Sequence, residues 1–208
     1  TLENAKINSS RLDSLLLLEF ITDKPRTWLI AHGEKRLPQE VVNKYLQLIK
    51  RRSNRDPVAH LTNTVDFYGL NFFIDNRVLS PRAETEKMVD WAIEMTPARG
   101  RLLDMGTGSG ALAIAIKKRR PDLQITASDV SSEALEVAKI NAKKHETEIS
   151  FIKSDLWNAI DSTFDAVVTN LPYLKDDADL MPEVKKEPVV ALFGGEDGLD
   201  VYREFLKN

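Results

Sequence analysis

Four short stretches in the second half of this sequence carry residue types that can do chemistry, and each follows a short apolar run. The first is Asp104-Met105-Gly106-Thr107-Gly108-Ser109-Gly110-Ala111. Glycines between a strand and a helix let the backbone approach a ligand closely and leave amide donors at the helix N-terminus. Such a turn can hold a dinucleotide pyrophosphate, as a Gly-x-Gly-x-x-Ala signature, or the methionine moiety of S-adenosylmethionine. A tight strand–helix connection without a ligand would use the same glycines. Asp104 bears on the choice, because a carboxylate at the strand end suits a cationic or amine-bearing ligand and repels a pyrophosphate. The second stretch is Asp129, 23 residues beyond Gly106. A carboxylate there can accept hydrogen bonds from both hydroxyls of a ribose, which either cofactor would offer. It would be redundant as a helix cap, since Ser131 and Ser132 can cap equally well. The third is Ser154-Asp155, where the carboxylate can accept from an adenine amino group or simply serve a turn.

The fourth stretch, Thr169-Asn170-Leu171-Pro172-Tyr173, is the most informative. An amide nitrogen or exocyclic amine has two N–H donors and a delocalised lone pair. To be methylated it has to be held with that lone pair facing the methyl group. The Asn170 side-chain oxygen and the Leu171 carbonyl can each accept one N–H. Pro172 would fix the backbone, and Tyr173 would stack on the planar group. Asn and Pro also make ordinary turns; the Gly-rich turn upstream is what favours the functional reading.

These stretches need a scaffold, and the hydrophobic period supplies one. From residue 101 onward, strands at 102–103, 124–128, 150–153 and 164–169 alternate with helices at 111–118, 132–144 and 197–206. That alternation predicts a parallel sheet with helices on both faces. Residues 65–79 mix aromatic and β-branched residues around Gly69-Leu70-Asn71 and predict a hairpin. The first sixty residues predict helices at 15–20, 27–31 and from Pro38 to the basic run Lys50-Arg51-Arg52, which would complement the helix dipole. The expected division is a helical bundle over 1–62, a hairpin linker over 63–80 and an α/β domain over 81–208.

Composition narrows the classes. The 208 residues are 42% hydrophobic and 29% charged, which fits a folded chain. There is no Cys, so disulfides, thiolate nucleophiles and cysteine-ligated metals are excluded. No metal site is expected. No apolar run is long enough to span a bilayer and no leader is evident, so the expectation is a cytoplasmic protein with no membrane association. Residues 1–60 hold 11 Lys/Arg against 7 Asp/Glu, while the rest hold 18 against 25. The excess of acid in the α/β part disfavours nucleic acid as its substrate.

Together these motifs resemble a class I S-adenosylmethionine-dependent methyltransferase, and more narrowly the release-factor glutamine methyltransferases, the HemK/PrmC family. The resemblance rests on Pro57-Val58-Ala59-His60-Leu61-Thr62, Phe67-Tyr68-Gly69, Leu79-Ser80-Pro81-Arg82-Ala83-Glu84-Thr85-Glu86, the Gly-rich turn, Asn170 to Tyr173, and Glu187-Pro188 with Ala191-Leu192. It implies a Rossmann-like catalytic sheet preceded by a small helical bundle and a β-hairpin linker. It implies methyl transfer to the side-chain amide of the glutamine in the Gly-Gly-Gln motif of class 1 peptide chain release factors. Asp104, Gly106, Thr107, Gly108, Ser109, Gly110, Asp129, Asp155, Leu156 and Asn170 would line the cofactor site. Asn170, Leu171, Pro172 and Tyr173 would hold the glutamine, and Phe73 and Arg82 would support the site. Leu171 departs from the usual first Pro of the Asn-Pro-Pro-Tyr motif. Only about four strands can be counted before Asn208, fewer than the family's full sheet, so a C-terminally truncated sheet is expected. The competing readings are a nucleic-acid exocyclic-amine methyltransferase, an NAD-dependent oxidoreductase, which would lack its Tyr-x-x-x-Lys pair here, and an inactive binding or folding fragment.

Overall fold

A central strand buried on both faces organises the second half of the chain. In β3 (Arg101–Met105), Leu102, Leu103, Asp104 and Met105 are all buried, as suits a parallel strand covered on both sides. The computed structural model describes residues 2–207. It sets β3 between β4 (Gln124–Asp129) and β6 (Ala166–Thr169), with β5 (Ser150–Lys153) beyond β4. All three pairings are parallel. Parallel neighbours require crossover connections, and α6 (Ala111–Arg119) and α7 (Ser132–Lys144) provide two of them. Each residue of α6 from Ala111 to Ile116 is buried; a helix apolar all round has to be covered all round. The helix α5 (Glu86–Met95) covers part of it, with Val89 and Ala92 buried.

Register brings the strand ends together. Met105 pairs with Ser128 on one side and Thr169 on the other, and Asp129 pairs with Lys153. The loops after all four strands therefore leave one edge of the sheet. The order turns back at β3, with β4 and β5 on one side and β6 on the other. Ligand crevices in open parallel sheets form at such a point.

Several predicted boundaries move, the hairpin turn and the last helix for a clear local reason. The hairpin pairs β1 (Thr64–Phe67) with β2 (Leu70–Phe73), and its turn is Tyr68-Gly69 rather than Gly69-Leu70-Asn71. Both turn residues have positive φ, 50° and 72°, and this two-residue turn follows the strand twist. Phe67 and Phe72 then meet edge to face at 6.2 Å inside the core. The last helix, α8, spans Asp200–Phe205, three residues shorter at its start than expected. Asp197 Oδ1 instead accepts the Leu199 N–H at 3.0 Å, closing a turn ahead of the helix.

The chain divides into two compact units. One comprises the chain through Asn63 together with Met181–Lys186; the other is Thr64–Leu180 with the chain from Glu187 onward, so the hairpin groups with the sheet. The first unit holds α1 (Ser10–Thr22), α2 (Arg26–Ala31), α3 (Gln39–Ser53) and α4 (Val58–Thr62). α1 packs on the other three, with Leu17 fully buried.

Within the basic end of α3, Lys50 and Arg51 are exposed but Arg52 is not. Arg52 is only 6% exposed. Its Nε donates to Asp13 Oδ2 of α1 at 2.7 Å, and its Nη1 donates to Glu183 Oε1 at 2.8 Å. Arg55 also donates to Glu183, at 3.0 Å, and Arg51 pairs with Asp56 at 3.0 Å. A buried guanidinium needs its carboxylates more than any dipole. Asp13→Ala should therefore destabilise the chain by about 3 kcal/mol, read as an earlier urea transition in far-UV circular dichroism. A shift below about 0.5 kcal/mol, the range of a surface pair, would contradict the buried clamp.

Candidate active site

The four chemistry-bearing stretches follow β3, β4, β5 and β6 in turn, and a cavity of about 260 Å³ opens among them. Met105, Gly106, Thr107, Gly108 and Ser109 form its floor; Asp129, Val130, Ser154, Asp155 and Leu156 form one side, and Asn170, Leu171 and Pro172 another. Apolar residues from outside the sheet complete the wall, among them Phe67, Leu79, Pro81, Pro188, Val190 and Val201. None of these six is among the expected site residues, because their approach depends on how the loops fold back.

The floor hangs from the neighbouring strand. The Gly106 and Thr107 N–H groups both donate to the Ser128 carbonyl, at 2.8 and 2.9 Å. The Gly108 N–H donates to Asp129 Oδ2 at 2.8 Å. A Cβ built on Gly108 would meet nothing within 4 Å, so that residue leaves open space that any side chain would occupy. Gly110 lies behind this floor and does not line the cavity. It precedes α6, where a Cβ would press on Ala138 and Ile114 at 3.1 Å.

Asp129 is anchored at both oxygens. Oδ1 accepts the Ser131 N–H at 2.9 Å, while Ser131 Oγ itself accepts from Ala134 and caps α7. Each carboxylate oxygen keeps capacity for another donor. Burial pushes the Asp129 carboxyl up, and the amides from Ser131 and Gly108 oppose that shift.

Asp104 does not face the ligand space. It is fully buried beneath the turn and is absent from the cavity wall. Its Oδ2 accepts from Thr107 Oγ1 at 2.7 Å and from the Ala113 N–H at 3.2 Å. Oδ1 has no hydrogen-bond partner. Burial pushes its carboxyl up to about 6, with the Thr107 and Ala113 hydrogen bonds pulling the other way and the Asp129 charge adding to the rise. Asp104 therefore shapes the floor rather than touching what lies on it.

Asn141 of α7 plays a related part that the sequence hid inside an ordinary helix pattern. It is fully buried. Its Oδ1 accepts the Phe73 N–H at 2.7 Å, and its Nδ2 donates to the carbonyls of Phe73 and Ser109 at 2.8 and 2.9 Å. Phe73 thus reaches the Gly-rich turn through its backbone. Arg82 supports the wall in another way: with the Ser80 N–H it holds the buried Glu187, joining the segment before α5 to the one carrying Pro188 and Val190. Burial pushes the Glu187 carboxyl up against the pull of Arg82.

After β5 the chain takes an unusual turn. Leu156 has φ +47°, rare for a bulky side chain. Ser154 Oγ holds it by donating to the Leu156 carbonyl at 2.7 Å while accepting the Ala159 N–H at 3.0 Å. After β6, Thr169 Oγ1 donates to the Met105 carbonyl at 2.8 Å. That bond ties the start of the Asn170 motif to the start of the Gly-rich turn. Asn170 is half-buried on the cavity wall, while Tyr173 is exposed and lies off it.

The charges select a ligand class. Among the described residues, the carboxylates on the wall are Asp129 and Asp155, and its one cation, Arg77, is paired with Asp75 at 2.7 Å and Glu136 at 3.1 Å. An acidic cavity with apolar sides suits a ligand bearing hydroxyls, an amine and positive charge, and disfavours a diphosphate. The residues present thus fit S-adenosylmethionine better than a nicotinamide dinucleotide.

Comparison with known proteins agrees with this geometry. Residues 88–189 match the methyltransferase small domain family, and residues 1–62 match the PrmC N-terminal domain. A release factor glutamine methyltransferase of Koribacter versatilis is 38% identical over 97% of this chain and 75% of its own. One from Deinococcus radiodurans is 37% identical over 97% and 74%. The chain belongs to the release factor glutamine methyltransferase family. Among solved structures, the hMettl16 catalytic domain in complex with MAT2A 3'UTR hairpin 6 superposes with a TM-score of 0.53 at 14% identity, covering 67% of this chain and 56% of that one. That likeness shows the fold, a class I methyltransferase sheet, and nothing of the substrate. Membership of the family overturns the oxidoreductase reading.

Asp104 makes a pH prediction for this family member. In the unfolded chain an Asp ionises near pH 4, whereas in the fold it holds its proton to about 6. Across that window the folded state binds more protons, so stability falls as pH rises. Asp104→Asn abolishes the titration. Between about pH 4 and pH 7 the wild type should lose about 3 kcal/mol relative to the variant, measured by urea unfolding at each pH. A difference independent of pH would contradict the buried carboxylate.

Proposed function

We propose that this protein transfers a methyl group from S-adenosylmethionine to the side-chain amide nitrogen of the glutamine in the Gly-Gly-Gln motif of class 1 peptide chain release factors. The observation that carries this reading is the meeting of the Gly-rich floor, Asp129 and the Asn170 motif around one acidic, apolar-walled cavity. The names of its relatives supply the substrate class. Residues 106–109, Asp129, Asp155 and Leu156 hold the cofactor. When bound, S-adenosylmethionine supplies an electrophilic methyl group on a sulfonium, a good leaving group.

The protein's own work is orientation. Asn170 Oδ1 and the Leu171 carbonyl accept the two amide N–H groups and leave the nitrogen lone pair facing the floor. Pro172 fixes the chain beyond them, and Tyr173, exposed next in the chain, is free to stack on the incoming glutamine. Leu79, Pro81, Pro188 and Val190 give the cavity an apolar wall, and a substrate seated against it would displace water. Holding reactants in one geometry removes much of the entropic barrier, and a dry site strengthens the hydrogen bonds that hold the amide. Among the described residues the wall carries no His or Lys; methylation makes the amide nitrogen strongly acidic, so its proton is lost after transfer, to solvent. A release-factor substrate supports a cytoplasmic protein. Among the described residues no helix is long and apolar enough to cross a membrane.

Asn170→Ala tests this reading. The turnover number on release factor should fall by about 100-fold or more, while the dissociation constant for S-adenosylmethionine, measured calorimetrically, rises by less than about 10-fold. Full activity in the variant would refute the amide clamp.

A further inference from the structure

The Leu171 carbonyl is braced from outside the motif that contains it. Tyr202, on α8, directs its hydroxyl to the Leu171 carbonyl at 3.3 Å. A carbonyl oxygen has two acceptor sites, so this bond leaves one for a substrate N–H. Below, the buried Leu171 side chain lies over the Gly-rich turn: a Cβ on Gly106 would stand 3.4 Å from Leu171 Cδ2. Leu at this position lacks the fixed φ that a proline would bring. Pro172 narrows the Leu171 ψ, and what touches the carbonyl sets its direction within that range.

The helix that delivers Tyr202 has only six residues, yet both of its ends are pinned. At its start, the Asp200 N–H donates to the Gly194 carbonyl at 2.8 Å, and the Gly194 N–H donates to the Leu174 carbonyl at 2.8 Å. Leu174 and Phe193 form a parallel bridge, closed by the Leu174 N–H on the Leu192 carbonyl at 3.0 Å. The glycines there are required by close approach. A Cβ on Gly194 would lie 2.6 Å from the Pro172 carbonyl oxygen, and one on Gly198, at φ +83°, would collide with the Tyr173 carbonyl. At the other end, Trp157 stacks on Phe205 at 5.5 Å, and its Nε1 donates to the Phe205 carbonyl at 2.8 Å. Residues 192–202 thus form a brace along the outer side of the Asn170 motif.

We propose that Tyr202 is a positioning residue for methyl transfer, its hydroxyl setting the direction of the Leu171 carbonyl that receives one N–H of the substrate amide. The proposal rests on the glutamine methyltransferase reading given above. The hydroxyl acts through the carbonyl and touches neither the methyl donor nor the nitrogen. It restrains by hydrogen bonding a carbonyl that a proline ring would restrain only indirectly, by fixing φ at the same residue.

Tyr202→Phe removes the hydroxyl and keeps the ring. Turnover of a release factor would be measured for the wild type, Y202F, L171P and the double variant, with S-adenosylmethionine affinity measured in each. Y202F is expected to lower kcat by about 10-fold, with the cofactor dissociation constant unchanged and KM for the release factor changed by less than about 3-fold. In the L171P background the same substitution is expected to lower kcat by less than about 3-fold, because the ring already fixes the backbone. Wild-type kcat in Y202F would overturn the proposal, and so would a weakened cofactor affinity that accounts for the whole loss. An equal loss in both backgrounds would also overturn it, by assigning Tyr202 to packing alone. If L171P does not fold, the kcat and affinity readings of Y202F decide the matter. A wild-type chain that binds S-adenosylmethionine but leaves release factor unmethylated would refute the underlying reading instead.

Discussion

Parallel pairing on both sides of β3 is the constraint from which the site follows. Because Met105 is in register with Ser128 and Thr169, the loops after β3, β4 and β6 have to leave the sheet side by side. The Gly-rich turn then donates its backbone N–H groups to the Ser128 carbonyl and the Asp129 carboxylate. The Asn170 motif meets the turn through Thr169 on Met105 and Leu171 over Gly106. No long side chain has to reach across the molecule to assemble the cavity. A sheet that lost this register would lose the floor and the clamp together.

The buried polar groups around the cavity work by holding backbone. Asp104 grips Thr107 and the start of α6; Asn141 grips Phe73 and Ser109; Ser154 grips Leu156. A buried polar group has to be satisfied locally, and here each one satisfies a turn that would otherwise be free to move. The result is a rigid rim built from loops, whose side chains remain available to a ligand. The helical unit uses the same device with charge, where Arg52 joins Asp13 and Glu183.

Much of this was legible in the sequence where a local rule was enough. The alternation of strands and helices and the Gly-rich turn follow from period and turn chemistry, and Asp129 and Asn170 stand where those rules put them. Sequence alone points Asp104 at the ligand because its place at the strand end is visible, whereas its burial under Thr107 is not. The hairpin turn slipped by one residue because Tyr68 adopts a positive φ that its side chain does not advertise. The early start given to α8 overlooked Asp197 as a turn-closing side chain. Glu183 lies 131 residues from its partner Arg52, and no pattern along the chain connects them. Pro188 and Val201 reach the cavity only through loops whose path depends on packing.

If this cavity directs a methyl group onto one glutamine amide, incubating the protein with a class 1 release factor and isotopically methyl-labelled S-adenosylmethionine, then locating the label by peptide mass spectrometry, should find a single labelled methyl on the glutamine of the Gly-Gly-Gln peptide. Label on another residue, or on nucleic acid while the release factor stays unlabelled, would contradict it.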